Sequence, residues 1–185
     1  MSASHGPNPK VMSALFAIIF IAVATEFFNI GTFNLDITGK QKLESLQSGY
    51  KVVNVVDGDT IDVEKNGETK RVRLLGINTP ESVDPRRAVE CFGQEASDYT
   101  KEELTNSDVS LETDPSQSLY DKYGRMLAYV YESDGQMINR KLIANGYAYE
   151  YTYDNPYKYQ AEFKSLQSLA KNEKRGLWSP ENCNF

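Results

Sequence analysis

The dipeptide Asn66–Gly67 lies between two segments in which apolar and polar residues alternate. Asn-Gly is a strong signal for a two-residue β-hairpin turn, because both of its residues readily take a positive φ. Ile61 and Val63 alternate with polar residues before the turn, and Val72 and Leu74 do so after it. Because side chains along a strand point alternately to opposite faces, the pattern predicts an antiparallel hairpin with one buried face.

Similar patterns predict further strands and three helices. The second arm of the hairpin is predicted over 70–77. Four other strands are predicted, at 52–56, 109–112, 126–131 and the tyrosine-rich segment 147–153. The predicted helices are 95–104, 137–144 and one that carries Tyr159, Phe163, Leu166 and Ala170 and ends near Gly176. Short strands interleaved with helices are typical of an α+β protein. We expect a strongly bent antiparallel barrel of five strands with the three helices packed on it.

The first 33 residues differ in composition from the rest of the chain. Val11 to Ala24 form a nearly unbroken apolar run that closes on Ala22-Val23-Ala24, the small-residue pattern of a signal-peptidase site. The run is shorter than the ~20 residues of a membrane-spanning helix, but apolar residues up to Phe33 would extend it past Glu26. The pattern favours a cleaved signal peptide, with a retained signal anchor as the alternative.

This interpretation divides the chain into a signal segment at 1–33, a polar linker at 34–49 and one folded domain at 50–185. If the signal segment were retained, residues 11–33 would be the only contact with a membrane. In both cases we expect the folded domain to lie outside the cytoplasm, either secreted or anchored to the membrane.

The chain has two cysteines, Cys91 and Cys183, and one histidine, His5. Two cysteines without a histidine in the folded part are too few for a zinc site. In an exported protein the pair favours a disulfide, with two buried thiols as the alternative.

The formal net charge is −6, the wrong sign for a protein that coats nucleic acid by bulk electrostatics. Seven basic residues nevertheless cluster in sequence near polar motifs: Lys70, Arg71, Arg73, Arg86, Arg87, Lys122 and Arg125. A local positive cleft on an acidic body is compatible with an enzyme that must release its product, and ordinary solvated charges are the alternative.

Three motifs carry the chemistry of the chain: Asp57-Gly58-Asp59-Thr60, then Arg73 with Asn78-Thr79-Pro80-Glu81, and then Asp121-Lys122-Tyr123-Gly124-Arg125. They supply hard oxygen ligands, a carboxylate that can orient water and two guanidinium groups. This combination suits metal-assisted cleavage of a phosphodiester. Taken alone, Asp57–Asp59 is equally typical of a turn, and we assign Asp57 a structural role.

With two further motifs, Gly93-Gln94-Glu95-Ala96 and Gly176-Leu177-Trp178-Ser179, the chain resembles the staphylococcal nuclease family over residues 50–179. Five motifs in the same order make the resemblance specific. It implies an OB-type barrel, a fold whose groove binds oligonucleotides. It also implies a calcium-dependent phosphodiesterase, an endonuclease that acts on DNA or RNA, and we expect a monomer.

The resemblance implies that Asp59, Asn78 and the backbone carbonyl of Thr79 are ligands of a calcium ion. Many members of the family have aspartate where this chain has Asn78. An amide still offers a carbonyl oxygen but no charge, so we expect weaker calcium binding or tolerance of another divalent cation.

The resemblance also implies that Arg73 and Arg125 hold the phosphate and that Glu81 orients or deprotonates the attacking water. Lys122 and Tyr123 would lie beside the nucleotide. In the tyrosine-rich segment we mainly expect the rings to pack within the sheet. One or two of Tyr149, Tyr151 and Tyr153 are candidates for stacking on a base, and the sequence does not choose among them.

Two other functions are compatible with the sequence. One is an OB-type module that binds nucleic acid without cleaving it, although such a module would have no reason to retain the catalytic set. The other is a secreted structural or adhesive domain. The apolar N-terminal segment is the only feature of the sequence that supports it.

Overall fold

A computed structural model of the protein describes residues 46–83 and 88–183. The predicted signal segment and most of the predicted linker therefore lie outside the described residues, as do Arg86 and Arg87. Among the described residues the first strand begins at Leu46, inside the segment predicted as a linker, and the predicted domain boundaries stay a prediction. In the described part of the chain no helix is both long and apolar enough to cross a membrane.

Five strands close into a barrel. They are β1 (Leu46–Asp57), β2 (Thr60–Lys65), β3 (Glu68–Leu74), β5 (Asp108–Glu112) and β6 (Met126–Glu132), in the order β1-β2-β3-β6-β5. Two short strands, β4 (Ile77–Asn78) and β7 (Tyr149–Glu150), pair in a separate two-stranded sheet. The helices are α1 (Gly93–Leu104), α2 (Ile138–Ala144) and α3 (Gln160–Asn172), followed by a 3₁₀ turn at Gly176–Trp178. The predicted α+β fold, a five-stranded OB-type barrel with three helices, is confirmed.

The expectation of a wholly antiparallel barrel is wrong at one pairing. β3 and β6 run parallel, with Val72 opposite Met126 and Leu74 opposite Ala128, whereas the other four pairings in the barrel are antiparallel. An odd number of strands cannot alternate in direction around a closed ring, so at least one neighbouring pair must be parallel. The long connection through α1 and β5 supplies the crossover that a parallel pair requires.

The predicted hairpin is present, and its turn has the expected backbone. Asn66 has φ 54° and Gly67 has φ 81°, both positive as the tight turn between β2 and β3 requires. The returning strand is shorter than the predicted 70–77, because the chain bends at Gly76, where φ is +79°. A Cβ on Gly76 would lie 2.6 Å from the Tyr157 ring, so both the conformation and the packing require glycine.

The predicted tyrosine-rich strand, 147–153, is wrong except for Tyr149 and Glu150. The backbone N–H groups of Tyr147 and Ala148 donate to the carbonyl of Leu142, at 2.8 and 3.2 Å, and so close the end of α2. Those N–H groups are therefore not used in a strand ladder. The end of the preceding helix thus uses the backbone of Tyr147 and Ala148, which the alternation of tyrosines assigned to a strand.

The last helix ends at Asn172, not at Gly176 as predicted. Lys174 takes a positive φ of 54°, and the N–H of Arg175 donates to the carbonyl of Ala170 at 2.9 Å. This is the pattern of a Schellman C-cap, in which a residue in the left-handed region ends the helix. Gly176 instead allows close contact with Gly146. A Cβ added to Gly176 would lie 2.3 Å from the carbonyl oxygen of Gly146.

The barrel interior is apolar and the helices cover it. Ile61, Val63 and Val72 of the hairpin are fully buried, as the alternation predicted. Leu142 of α2 and Phe163 of α3 are also fully buried and belong to the same cluster. Because barrel and helices share one core, side chains at the barrel surface have a rigid base.

Cys91 and Cys183 form a disulfide with a Cα–Cα distance of 5.9 Å. Cys91 lies just before α1, and Cys183 lies beyond the 3₁₀ turn, where its N–H donates to the carbonyl of Ser179 at 3.0 Å. The bond connects the start of α1 to the C-terminal segment across a sequence separation of 92.

We expect replacement of both cysteines by serine to lower the free energy of unfolding by about 4 to 5 kcal/mol, because a long loop in the unfolded chain is no longer closed. Denaturant unfolding of the variant and of the oxidised native protein measures the difference. Native protein in reductant is the control and should match the variant. A variant as stable as the oxidised protein would contradict the prediction.

Candidate functional site

A groove of about 910 Å³ runs along one side of the barrel. The eight residues that the sequence assigns to the cation, the phosphate, the nucleotide or the attacking water all line it: Asp59, Arg73, Asn78, Thr79, Glu81, Lys122, Tyr123 and Arg125. They come from three separate parts of the chain. The structure therefore brings the predicted set together, while the role of each member stays a prediction.

Asp59 lies at the turn between β1 and β2 and is nearly buried, with 5% of its surface exposed. Its Oδ2 accepts the backbone N–H of Thr79 at 3.0 Å and faces Nη2 of Arg73 at 2.8 Å. Its Oδ1 accepts the hydroxyl of Thr60 at 3.0 Å. Helix α1 holds the same turn, because the hydroxyl of Thr100 donates to the carbonyl of Gly58 at 2.7 Å. The carboxylate is thus fixed in position.

The side chain of Arg73 leaves β3 opposite Thr60, on the face away from Val72, as the strand pattern predicted. Nη1 donates to the carbonyls of Leu74 and Ile77, both at 2.9 Å. The bend at Gly76 brings both carbonyls to one guanidinium. The main chain therefore sets the orientation of Arg73.

Asn78 of β4 is hydrogen-bonded at both ends of its side-chain amide. Its Oδ1 accepts Nη2 of Arg73 at 2.8 Å, and its Nδ2 donates to the hydroxyl of Tyr149 at 2.7 Å and to the carbonyl of Thr79 at 3.2 Å. Burial raises the pKa of the Tyr149 hydroxyl, and the charges of Glu90 and Asp59 add to the rise. The sequence did not identify this partner of Asn78, because nothing local indicates that β4 and β7 pair.

Glu81 follows β4 in a loop that is held mainly through its backbone. The carbonyl of Glu81 accepts the N–H of Glu90 at 2.8 Å, and the N–H of Glu81 donates to Oε2 of Glu90 at 3.1 Å. Gly93 begins α1 directly against this loop, since an added Cβ would lie 2.6 Å from the carbonyl oxygen of Glu81. Oε1 of Glu81 accepts the N–H of Val83 at 2.9 Å. The start of α1 thus determines where Glu81 sits.

Asp121 organises the opposite wall of the groove. Its Oδ1 accepts the backbone N–H groups of Tyr123 and Arg125, both at 2.9 Å, and its Oδ2 accepts Nε of Arg125 at 2.7 Å. Burial alone would raise the pKa of Asp121, but the hydrogen bonds from Arg125 and Tyr123 hold it below its usual value. The sequence assigned no role to Asp121, although an aspartate that accepts N–H groups two and four residues later is a common turn motif.

Tyr123 is 72% exposed, and two cations lie near its ring. Nζ of Lys122 is 5.1 Å and Cζ of Arg125 is 5.3 Å from the ring centroid. These distances are within the range of cation–π attraction. The three side chains form one exposed unit at the edge of the groove.

The tyrosines that the sequence left unassigned divide into two groups. Tyr149, Tyr151 and Tyr153 all line the groove. Tyr147 instead stacks between Phe92 and Tyr99, with ring centroids 5.4 and 4.2 Å away. Packing is therefore the role of Tyr147, while base stacking by the groove tyrosines stays a prediction.

Asp57, which we assigned a structural role, makes structural contacts and also lines the groove. Its Oδ1 accepts the N–H of Gly58 at 2.8 Å and the hydroxyl of Ser82 at 2.6 Å. Burial raises the pKa of Asp57, and the nearby carboxylates of Asp59 and Glu81 contribute to the rise. Three carboxylates thus lie close enough to interact.

Acidic residues outnumber basic residues among the described residues that line the groove, so these residues do not form the positive cleft that the sequence allowed. Six acids line the groove: Asp57, Asp59, Glu81, Glu90, Asp121 and Asp154. Four bases line it: Arg71, Arg73, Lys122 and Arg125. Sequence proximity placed Lys70 near the motifs, but the pleat directs its side chain to the other side of the strand from Arg71 and Arg73.

The donor chemistry of the groove fits a hard divalent cation such as calcium. Over residues 46–83 and 88–183 no group of three or more histidine, cysteine or acidic side chains forms a ready metal cluster. Within the same residues Oγ1 of Thr79 is buried without a hydrogen-bond partner, and the backbone N–H of Thr79 donates to the carboxylate of Asp59 at 3.0 Å. Carboxylate, carbonyl and hydroxyl oxygens are the ligands that calcium accepts. The carbonyls of Asn78 and Thr79 would have to exchange their present hydrogen bonds for the cation.

Comparison of the sequence with known proteins finds nucleases among its relatives. A family model described as "Staphylococcal nuclease homologue" matches residues 71–180. Thermonuclease of Staphylococcus hyicus is 45% identical over 130 residues, which cover 70% of this chain and 75% of that protein. Thermonuclease of Staphylococcus intermedius is 43% identical over 129 residues, with the same coverage. The SPbeta prophage-derived endonuclease YokF of Bacillus subtilis is 42% identical over 125 residues, 67% of this chain and 42% of that protein.

We expect Gly93→Ala to displace the Glu81 loop, because the new Cβ would meet backbone atoms that cannot rotate away. Alanine also favours the helix, so the net loss of unfolding free energy should stay within about 1 to 3 kcal/mol. The backbone amide resonance of Glu81 and denaturant unfolding measure the two effects. Gln94→Ala, at the next and exposed position of α1, is the control and should move neither. An unshifted Glu81 resonance in Gly93→Ala would contradict the prediction.

Proposed function

This chain belongs to the staphylococcal nuclease family, and we propose that its groove hydrolyses the phosphodiester bonds of DNA and RNA with the help of a bound divalent cation, in the first place Ca²⁺. Family membership makes the chain a nuclease, a hydrolase acting on phosphodiesters. The observation that carries the finer proposal is the convergence of Asp59, Arg73, Glu81 and Arg125 on one groove.

The two arginines are suited to the phosphate. Phosphoryl transfer spreads negative charge over the phosphate oxygens, and fixed guanidinium groups stabilise that charge without reorganising. The carbonyls of Leu74 and Ile77 orient Arg73, and the carboxylate of Asp121 orients Arg125. Both groups are thus oriented in the groove before a substrate binds, and Arg73 would exchange its contact with Asn78 for the phosphate.

Glu81 is the candidate to orient or deprotonate the attacking water. Its backbone is fixed by Glu90 and by the close approach of Gly93, so the carboxylate is delivered to the groove from a rigid segment. A carboxylate within reach of a water can accept its proton as the bond to phosphorus forms.

Asp59 with the carbonyls of Asn78 and Thr79 would hold the cation. A bound Ca²⁺ supplies positive charge against the phosphate oxygens. The excess of acids over bases among the groove residues supports this proposal, since a polyanion would otherwise meet a negatively charged surface. Asn78 has no charge, so other divalent cations remain candidates.

Lys122, Tyr123 and the groove tyrosines would contact the nucleotide beside the scissile phosphate. An exposed ring offers a stacking surface to any base, and a lysine offers a charge to the next phosphate. This wall recognises nucleic acid without selecting a sequence, which is compatible with action on both DNA and RNA.

We further propose that the domain works outside the cytoplasm, secreted or anchored through residues 11–33, and that it is a monomer. The apolar leader, which lies outside the described residues, supports export. The Cys91–Cys183 disulfide supports it as well, because such bonds persist in oxidising compartments.

We expect Glu81→Gln and Arg73→Lys each to lower the rate of DNA and RNA cleavage by about 10²- to 10³-fold, because each removes one fixed group from the transition state. Arg73→Lys keeps the charge but loses the planar guanidinium group, which can donate two hydrogen bonds to one phosphate. Initial rates on plasmid and single-stranded substrates, with added Ca²⁺ and with chelator, measure the effect. Glu95→Gln, an exposed acid on α1 that does not line the groove, is the control.

Two outcomes would contradict the proposal. Equal rates in native protein and both variants would place the reaction elsewhere. Binding of oligonucleotide without cleavage at any concentration of divalent cation would identify a binding module instead of an enzyme.

We expect Asn78→Asp to bind Ca²⁺ about tenfold or more tightly than the native protein, because a carboxylate adds charge to the same position. Calorimetric titration of the two proteins with Ca²⁺ measures the difference. An unchanged or lower affinity would contradict the assignment of residue 78 as a ligand of the cation.

A further inference from the structure

The amide at position 78 has a requirement that a carboxylate would not have. A carboxylate presents an acceptor oxygen whichever way it turns, whereas an amide has an acceptor at one end and two N–H donors at the other. Asn78 can therefore offer an oxygen to a cation only if its side chain is held in one of two orientations.

The present orientation is the one that satisfies its neighbours. Arg73 can only donate and the carbonyl of Thr79 can only accept, and they face Oδ1 and Nδ2 of Asn78 respectively. In the reversed orientation donors would meet donors and acceptors would meet acceptors. The third contact, from Nδ2 to the hydroxyl of Tyr149, is the shortest of the three at 2.7 Å.

Two of these three contacts involve groups that the proposed reaction needs elsewhere. Arg73 is assigned to the phosphate, and the carbonyl of Thr79 is assigned to the cation. When both are engaged, the hydroxyl of Tyr149 is the remaining one of these three contacts, and it gives the amide nitrogen of Asn78 an acceptor in place of the carbonyl of Thr79.

Tyr149 is well placed for this task, because its backbone is fixed. It pairs with Asn78 itself in the register of β4 and β7. The next residue, Glu150, donates its N–H to Oε1 of Gln167 in α3 at 2.9 Å. The ring of Tyr149 is half-buried, so its hydroxyl reaches Asn78 from a rigid support.

We propose that Tyr149 is a positioning residue that makes an asparagine usable as a cation ligand in this site. Its hydroxyl accepts one amide hydrogen of Asn78, so the carbonyl oxygen can face the cation while the nitrogen keeps a hydrogen-bond partner. This inference rests on the proposed function, since it concerns the same cation site.

A double-mutant cycle of Tyr149→Phe with Asn78→Asp tests the proposal through the dissociation constant for Ca²⁺, measured by calorimetry. We expect Tyr149→Phe to weaken binding about 10-fold when residue 78 is asparagine, in line with other outer-shell partners of metal ligands. We expect less than about a twofold effect when residue 78 is aspartate, because either carboxylate oxygen can face the cation. Equal effects in both backgrounds, or none with asparagine, would overturn the proposal.

A second measurement needs no metal. In the native protein the side-chain NH₂ of Asn78 should show two well-separated proton resonances with slow hydrogen exchange, and Tyr149→Phe should accelerate that exchange about tenfold or more. Tyr50→Phe is the matched control, because it removes a hydroxyl bonded to the side-chain amide of Gln47, outside the groove. Thermal unfolding verifies that each variant is folded.

The two measurements separate two kinds of failure. If the native protein binds no Ca²⁺, the proposed cation fails and the proposal for Tyr149 as a support of a cation ligand fails with it. If Ca²⁺ binds but exchange at Asn78 is the same in native protein and Tyr149→Phe, the role of Tyr149 alone is overturned.

Discussion

The guanidinium of Arg73 connects the groove to the barrel. It donates to the carbonyls of Leu74 and Ile77, to the amide of Asn78, and pairs with the carboxylate of Asp59. A largely buried cation is costly unless its donors are satisfied, so these contacts fix one another. The oxygen donors proposed for the cation and the donor proposed for the phosphate are therefore parts of one network.

That network depends on a bend in the main chain. At Gly76 the second arm of the hairpin leaves the barrel. The carbonyl of Gly76 accepts the hydroxyl of Tyr157 and the N–H of Tyr151, both at 3.0 Å. The carbonyl of Leu75 accepts Nδ2 of Asn139 from α2 at 2.9 Å. Backbone groups freed from the sheet are thus paired by tertiary contacts, which is what allows two carbonyls to turn towards Arg73.

The charge of the groove explains why such a fixed network suits a nuclease of this family. The protein is acidic overall, and acids also outnumber bases among the described groove residues. The carboxylates of Asp57, Asp59 and Glu81 lie close enough to interact. The proposed divalent cation would relieve their repulsion and at the same time offset the charge of the phosphate, so one ion would serve both substrate and protein.

By itself the sequence determined the hairpin at Asn66–Gly67, the buried face of β2 and β3, the three helices and the set of motif residues, because these follow from local periodicity, turn chemistry and spacing. Only the tertiary structure decided that β3 and β6 run parallel, that Tyr147 packs while Tyr149 reaches Asn78, and that acids outnumber bases in the described groove. Each of these depends on segments far apart in sequence, such as β4 and β7, and on which neighbour satisfies each backbone group. No local pattern contains that information.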